Sequence, residues 1–484
     1  MPAMSEEKAF VLDFVERNKQ ALATLADSVF YFGELGMQEH RSAGLMMQLL
    51  EQHGFRVEAG ISGFPTGFLA TYGSGSPVIA LHTEYDANPS NSQRPGVAER
   101  AEIVPGAPGH CEGHNVNAAV LVTASLALRY AMERFGLKGT LKVFGAPAEE
   151  QLLSRPYYVR DGYFDDVDLA VHDHIYDEFK SDYGLMQSAM VSADFEFLGE
   201  SAHAAMSPWK GRDALDAAVL MDMGLAQYRE HFRPGMTAHR AITHGGEQPN
   251  VIPARASVWW YFRDPGAEGA RALFEQAKKI AEGAAMMTNT ELKVNVRAAV
   301  WPVRGNRTMA EAIQKNIDAI GMPQWSTEEQ ALARALQRRA KTPEEGLRAS
   351  PTPITGPTQQ IAASNDCGDI SWKVPMARVW FPSNVPHLVY HHWTAGSALA
   401  TSIAHKGGVA GAKAMAASVI DFLKDPALVE RAKRTFAEEI GGQAYRPLLP
   451  GGQKPPADLN QAAMDKYRPL MEPHYVKTRP EFRA

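Results

Sequence analysis

The sequence predicts an α/β fold carrying a second, smaller α+β unit, and three observations predict it. Over roughly the first third of the 484-residue chain, buried-type strands alternate with long helical stretches. Those strands end in acids or histidines, as parallel strands do when they deliver polar groups at their C-terminal ends. From about Met190 the pattern changes to alternating, half-exposed strands around one helix. The length also exceeds what one ordinary core supports, so more than one structural unit is expected.

Taken in order, the chain opens on MPAMSEEKAFVLDFVERNKQALATLADSVF, which has acids and helical periodicity where a secretory leader needs a basic start and an unbroken apolar run. VIALHTEYDA (78–87) begins as a buried strand and finishes in acids. NAAVLVTASLALRYAMERFG reads as a helix stopped by Gly136, and TLKVFGAPAEE as a strand with acids at its tip. DLAVHDH repeats the pattern with histidines. In open α/β sheets such strand ends converge on one crevice.

After Met190, SADFEFLG and RASVWWYFRD flank the helical DALDAAVLMDMGLAQYREHF. WPVRGNRTM returns the chain to the first unit. The expected organisation is therefore 1–189 and 303–484 as one domain, with 190–302 inserted. STEEQALARALQRRAK reads as a helix followed by a Pro/Thr-rich loop, and HKGGVAGAKAMAASVIDFLKD as the last helix. The Pro-rich tail from about Tyr445 is expected to be extended or packed over a neighbour.

Composition excludes several classes of function. Lys and Arg total 49 against 55 Asp and Glu, a net charge of -6 without long single-sign runs, so neither nucleic acid nor an anionic membrane is an expected partner. No apolar stretch is long enough to span a bilayer. Cys111 and Cys367 are the only cysteines, which gives no disulfide framework and suits a reducing cytoplasm.

The chemistry concentrates at four places. GHCEGHNVN holds His110, Cys111, Glu112 and His114; Glu149 and Glu150 are adjacent at a strand end; His172 and His174 sit in HDH; His391 and His392 follow in PHLVYHHW. Histidines and carboxylates drawn from several strand-end loops make up a one- or two-metal hydrolytic site. Adjacent glutamates divide naturally into one ligand and one base, and of His172 and His174 only one is expected on a given side.

These stretches resemble the aminoacylase and carboxypeptidase G-type metallopeptidases, most closely the branch typified by the B subunit of p-aminobenzoyl-glutamate hydrolase. The likeness is carried by ELGMQEHRSA, TEYDANPSNSQ, GHCEGHN, GAPAEE, YFDDVDLAVHDH, SAHAAMSPWKGRDALDA, AITHGGEQPNVIPA, SNDCGDISWKVP, HHWT and SIAHKG, in family order from about residue 30 to 420. It implies a zinc-peptidase-like catalytic domain with a mixed sheet flanked by helices, interrupted by an α+β dimerisation or lid domain. It further implies Glu149 as general base, Glu150, His174 and His391 as metal ligands, and His392 as the less favoured neighbour. His203 of SAHAA would reach the developing oxyanion in the partner's site, and Asn250 and Arg263 would bind substrate. The implied assembly is a homodimer, or a higher homo-oligomer, through the lid.

Two departures from the branch stand out. Its loop normally reads Cys-Gly-His with Cys and His as ligands; alignment on Gly113-His114 puts Glu112 in the cysteine's place, so Glu112 and His114 are the expected ligands and Cys111 a neighbour. A carboxylate for a thiolate hardens the site, which makes manganese a candidate beside zinc, with one ion or two. The second departure is QLLSRPYYVRDG after the glutamates, where the branch has a glycine-rich run. A bulkier, aromatic wall is expected, and His82, Trp209, Trp259, Trp260, Phe381 and Trp393 are candidate contacts to an aromatic substrate. The expected reaction is metal-dependent hydrolysis of the amide joining an acyl, chiefly aroyl, group to an amino acid. The alternatives are an aminohydrolase releasing ammonia from an activated aromatic amine, and a non-catalytic partner in a larger enzyme.

Overall fold

The computed structural model describes residues 4–484; Met1 to Ala3, the start of the stretch read as lacking a leader, lie outside the described residues. Ten strands build its two main sheets: β1 (Arg56–Ala59), β2 (Phe68–Ser74), β3 (Val78–Thr83), β4 (Gly139–Gly145), β5 (Leu169–Tyr176), β6 (Ala189–Leu198), β7 (Thr237–His244), β8 (Arg255–Asp264), β9 (Glu291–Val300) and β10 (Met376–Pro382).

The larger sheet runs β1-β2-β4-β3-β5-β10. Its inner strands pair parallel, while β1 and β2 pair antiparallel at one edge, so the sheet is mixed. Strands buried on both faces need apolar runs rather than alternation, and β3 (VIALHT) and β5 (LAVHDHIY) supply them. On one face, helices Glu6–Arg17, Lys19–Phe32, His114–Phe135 and Ser402–Lys424 cover the sheet in one continuous apolar cluster. The His114–Phe135 helix stops at Gly136, whose left-handed backbone closes it as the sequence reading expects. A second cluster runs from Phe144, Tyr157, Tyr158 and Phe164 on the other face into the inserted unit.

That unit is a four-stranded antiparallel sheet, β9-β6-β8-β7, packed against helices Ala214–Tyr228 and Ala267–Thr288. Among the described residues, no helix is long and apolar enough to cross a membrane.

The tail departs from expectation. It folds back over its own chain and contains a helix, Gln461–Met471. Tyr445 and Arg446 dock on Trp301, and Arg483 reaches Asn18 near the other end of the chain. One anchor is buried Asp369, whose carboxylate accepts from Trp301 N (3.0 Å) and Tyr445 Oη (2.8 Å). Burial pushes the Asp369 carboxyl up to about 7. Its unfolded value is about 4, so between about pH 4 and 7 the folded chain holds a proton that the unfolded chain releases. The stability it contributes is present at low pH and lost as pH rises through about 7. Urea unfolding of the parent chain is therefore expected to lose on the order of 2 to 3 kcal/mol between pH 5 and 8 relative to Asp369→Asn. Parallel profiles for the two proteins would remove this assignment.

Candidate metal centre and catalytic turn

Sheet topology places the ends of β3, β4 and β5 side by side, and the loops that leave them carry most of the site. Gly113 has φ +125°, and a Cβ there would stand 2.2 Å from Ile175 Cδ1, so only glycine fits between Glu112 and His114. The following helix begins at His114. His114 Nδ1 lies 3.1 Å from the Asp86 carbonyl oxygen and 3.2 Å from Asp86 Oδ1. This turns Nε2 into the cluster, where it is buried without a hydrogen-bond partner and 3.9 Å from Glu149 Oε2.

Glu149 and Glu150 occupy a tight 3₁₀ turn flanked by Ala148 (φ +57°) and Leu152 (φ +59°), left-handed positions that side chains rarely adopt. Such strain costs on the order of 1 to 3 kcal/mol per residue and persists only when surrounding contacts hold it. Two bonds hold this turn from the strand side: Glu150 N donates to Asp86 Oδ2 (3.0 Å), and Asn365 Nδ2 donates to Glu149 Oε1 (2.5 Å). The two glutamates thereby diverge: Glu149 faces His114, while Glu150 Oε2 lies 3.2 Å from His391 Nε2. Glu150 Oε1 is buried with no partner.

His391 Nε2 also meets Glu112 Oε2 at 2.9 Å, whereas His392 turns to Thr394 Oγ1 (2.8 Å). The expectation that only one of His172 and His174 faces a given side is wrong. Residues two apart on a strand share a face, and both rings reach Glu84, at 2.9 Å from His172 Nε2 and 3.2 Å from His174 Nε2. What separates them is depth. His172 lies below, bonded to Arg378, while His174 reaches the cavity and stands 3.7 Å from Glu112 Oε1.

Two donor triads result, Glu84-His114-His174 and Glu112-His114-Glu150, each with ligand atoms within 4.8 Å of one another. The electrostatics favour positive charge between them. Hydrogen bonds donated to the Glu112 and Glu150 carboxylates raise His391 to about 10. Burial works against charge on His114, yet Asp86 raises it well above the ordinary imidazole value. Burial opposes ionisation of Glu112 as well, but the His391 bond draws it down to about 2. Burial and then the Glu84 charge push Glu149 well above the usual carboxylate range. Imidazoles and carboxylates with the unpartnered His114 Nε2 and Glu150 Oε1 at their centre fit a divalent cation. Cys111 stands outside both triads: it is buried, its Sγ donates to Asn88 Oδ1 (3.1 Å), and burial followed by the Glu150 charge raises its thiol.

A cavity of about 410 Å³ opens over this cluster, within the size range of small-molecule sites. Glu112, Glu149, Glu150, His174 and His391 line its floor, and Arg263 approaches from the lid. The Arg263 guanidinium lies 5.0 Å over the Tyr261 ring, and its Nε donates to Ser364 Oγ (3.4 Å). His203 and Asn250 do not reach this cavity. Both sit exposed on two neighbouring loops of the inserted unit, joined by Ala204 N donating to the Asn250 carbonyl. Ala205 N and Met206 N donate to His203 Nδ1, which leaves Nε2 to carry the ring proton outward.

The aromatic residues expected at the wall are elsewhere. Trp260 and Phe381 are core, His82 is buried behind His172, Trp209 is exposed on the lid, and neither Trp259 nor Trp393 lines the cavity. Tyr157 and Tyr158 of the divergent stretch are buried too; only its Leu152 lines the cavity. What that stretch supplies is Arg155, fully buried and ion-paired to Glu84 and Asp366 beneath the cluster. The actual aromatic wall is Tyr176, Tyr261, Trp380 and Tyr390, with Trp380 5.3 Å from the His174 ring. Sequence reasoning missed these and also Glu84, Asp86 and Asn365; the acids at the end of β3 were the available signal.

A family model described as a peptidase dimerisation domain matches residues 185–286. The chain is 34% identical to the B subunit of p-aminobenzoyl-glutamate hydrolase from Escherichia coli (strain K12), over 93% of this chain and 99% of that one. Its fold is similar to a crystal structure described as a putative aminohydrolase from methicillin-resistant Staphylococcus aureus, with TM-score 0.62 and 17% identity over 86% of this chain and 100% of that chain. A dinuclear metal-binding peptidase of the M20 family from Bacillus subtilis is also similar in fold, with TM-score 0.54 and 18% identity over 84% and 99% of the two chains. Identity of 34% sustained across nearly the whole of both sequences means that the protein belongs to the M20 amidohydrolases, in the branch that contains the B subunit of p-aminobenzoyl-glutamate hydrolase, and is a hydrolase of amide bonds.

Proposed function

We propose that the protein hydrolyses the amide bond between an acyl, chiefly aroyl, group and an amino acid, using a divalent ion, zinc or manganese, held by Glu112, His114, Glu150, His174 and His391. The observation that carries this reading is the meeting of two donor triads at His114, with Glu149 Oε2 3.9 Å from its unpartnered Nε2 on the cavity floor. The ion, when bound, supplies a water of lowered pKa and polarises the carbonyl under attack. Glu149 is the base. Asn365 holds its Oε1, so Oε2 faces the reacting water, and its raised pKa lets it keep the proton and pass it to the leaving nitrogen. Arg263 takes the amino-acid carboxylate, and Tyr176, Trp380 and Tyr390 flank the acyl group.

The exposed lid loops serve a second copy. His203 presents Nε2–H to the oxyanion in that copy's site, with Asn250 beside it, in a homodimer joined through the lid. The buried free cysteines suit the cytoplasm, where we place the protein. Zinc- and manganese-loaded protein should release free amino acid from N-benzoyl and N-(4-aminobenzoyl) amino acids. Ammonia release from ring-activated anilines without amide cleavage would replace this reading with an aminohydrolase.

Trans service has its own test. His203→Ala and Glu149→Gln chains, each inactive alone, should regain activity when mixed under conditions that exchange subunits. At equal mixing about half the dimers are mixed with one intact site each, so roughly a quarter of parental activity is expected. Demonstrated exchange without recovery would mean that His203 acts within its own chain or not at all.

A further inference from the structure

The turn that carries Glu149 has two left-handed residues and a third support, at the backbone of Ala148. Ala148 N donates to Glu39 Oε1 (2.8 Å), and Thr66 Oγ1 donates to Glu39 Oε2 (2.7 Å), so both oxygens of a fully buried carboxylate are committed. Glu39 closes the loop 34–39, which packs directly on the turn: a Cβ at Gly36 would stand 2.2 Å from Gln151 Oε1 and 2.9 Å from Ala148 Cα.

The outer side of the same loop is gripped by the C-terminal tail. Gln38 Nε2 donates to the carbonyls of Leu459 (3.0 Å) and Ala457 (3.3 Å), and Asn460 Nδ2 donates to the Gly36 carbonyl (2.9 Å). Arg468 Nη2 donates to the Gln38 carbonyl (2.9 Å) and stands 3.6 Å from Glu34 Oε1. A continuous chain of contacts therefore leads from tail residues 457–468 through loop 34–39 to the backbone of the residue before Glu149.

We propose that Glu39 is a positioning residue for the catalytic turn and that tail residues 457–468 form the strap that seats it. The inference rests on the reading of Glu149 as base. The strained backbone at Ala148 relaxes unless its N–H is held, and relaxation swings the Glu149 carboxylate away from the reacting water. Displacement of about 1 Å at a reacting group costs on the order of 100-fold in rate without weakening substrate binding. Glu39 touches no substrate, so its loss should appear in kcat and not in KM.

The test compares Glu39→Leu, which removes the acceptor, with Glu39→Gln, whose amide oxygen still accepts from Ala148 N while its NH₂ donates to Thr66 Oγ1. On an N-benzoyl amino acid, Glu39→Leu should lower kcat about 10- to 100-fold with KM within twofold, and Glu39→Gln should restore most of the loss. Arg468→Met and Asn460→Ala, which leave the buried carboxylate intact, should each lower kcat several-fold at unchanged KM. These strap variants decide the matter if Glu39→Leu fails to fold. Parental kcat in Glu39→Leu or in both strap variants, or losses that fall in KM, would overturn the proposal. An inactive Glu149→Gln beside a fully active Glu39→Leu sinks this inference alone, whereas an active Glu149→Gln sinks the base on which it rests.

Discussion

Glu149→Gln is expected to bind its metal as the parent chain does and to turn over N-aroyl amino acids about 100- to 10,000-fold more slowly. The substitution keeps shape and hydrogen bonding. Gln Oε1 still accepts from Asn365 Nδ2, at the 2.5 Å contact that fixes the side chain, so the turn and the cavity floor are undisturbed. The only thing removed is the capacity to take a proton at the atom 3.9 Å from His114 Nε2. Because one group is asked both to accept the water's proton and to return it to the leaving nitrogen, the loss should reach the upper part of that range. Metal content by elemental analysis, with steady-state kinetics on the same sample, checks both halves. Near-parental turnover would exclude Glu149 from the reaction.

Glu112→Ala should lose metal affinity by at least about 100-fold, with activity falling alongside, while Cys111→Ser keeps both within about twofold. Removing a partner behind a ligand already costs about 10- to 100-fold in affinity, and removal of the ligand itself costs more. Glu112 bonds His391 at 2.9 Å and lies 3.7 Å from His174 Nε2, so two of the proposed ligands also lose a neighbour that orients them. Cys111 differs by one position and by its surroundings. Its sulfur is committed to Asn88, and a serine hydroxyl can make the same bond. Titration of each apo-variant with zinc and with manganese, followed by activity, separates the two. An essential Cys111 with a dispensable Glu112 would falsify the ligand assignment and return a thiolate to the site.

Much of the architecture was legible in the residues because it depends on local periodicity and short-range stops. The apolar runs of β3 and β5, the helix closed by Gly136, and the change of texture near Met190 all act over stretches of a few turns or one strand. The divergence of Glu149 and Glu150 was legible for the same reason, since adjacent side chains cannot share a direction. Glu112 emerged from the family resemblance, by alignment on Gly113-His114, and the structure brings it into one donor triad with His114 and Glu150.

What the chain's one-dimensional pattern left open was depth and distance. Trp260, Phe381, Tyr157 and Tyr158 look no different in sequence from Tyr176, Trp380 and Tyr390, yet the first four are core and the last three line the cavity. Burial is decided by which sheet face another element covers, and that is set by partners hundreds of residues away. His172 and His174 share a strand face and differ in depth: His172 is bonded to Arg378 and Glu84 in the interior, while His174 lines the cavity. The tail reads as Pro-rich and irregular because its stabilising bonds, such as Arg468 to the Gln38 carbonyl and Arg483 to Asn18, are long-range and leave no periodicity. The sequence by itself determined the main elements, the family and the residue types of the candidate donor cluster. Only the tertiary structure decided which aromatics line the cavity, which acids stand beneath the donor cluster, and that tail residues 457–468 reach the loop 34–39 packed on the turn of Glu149, because each of these depends on contacts between segments that no local pattern encodes.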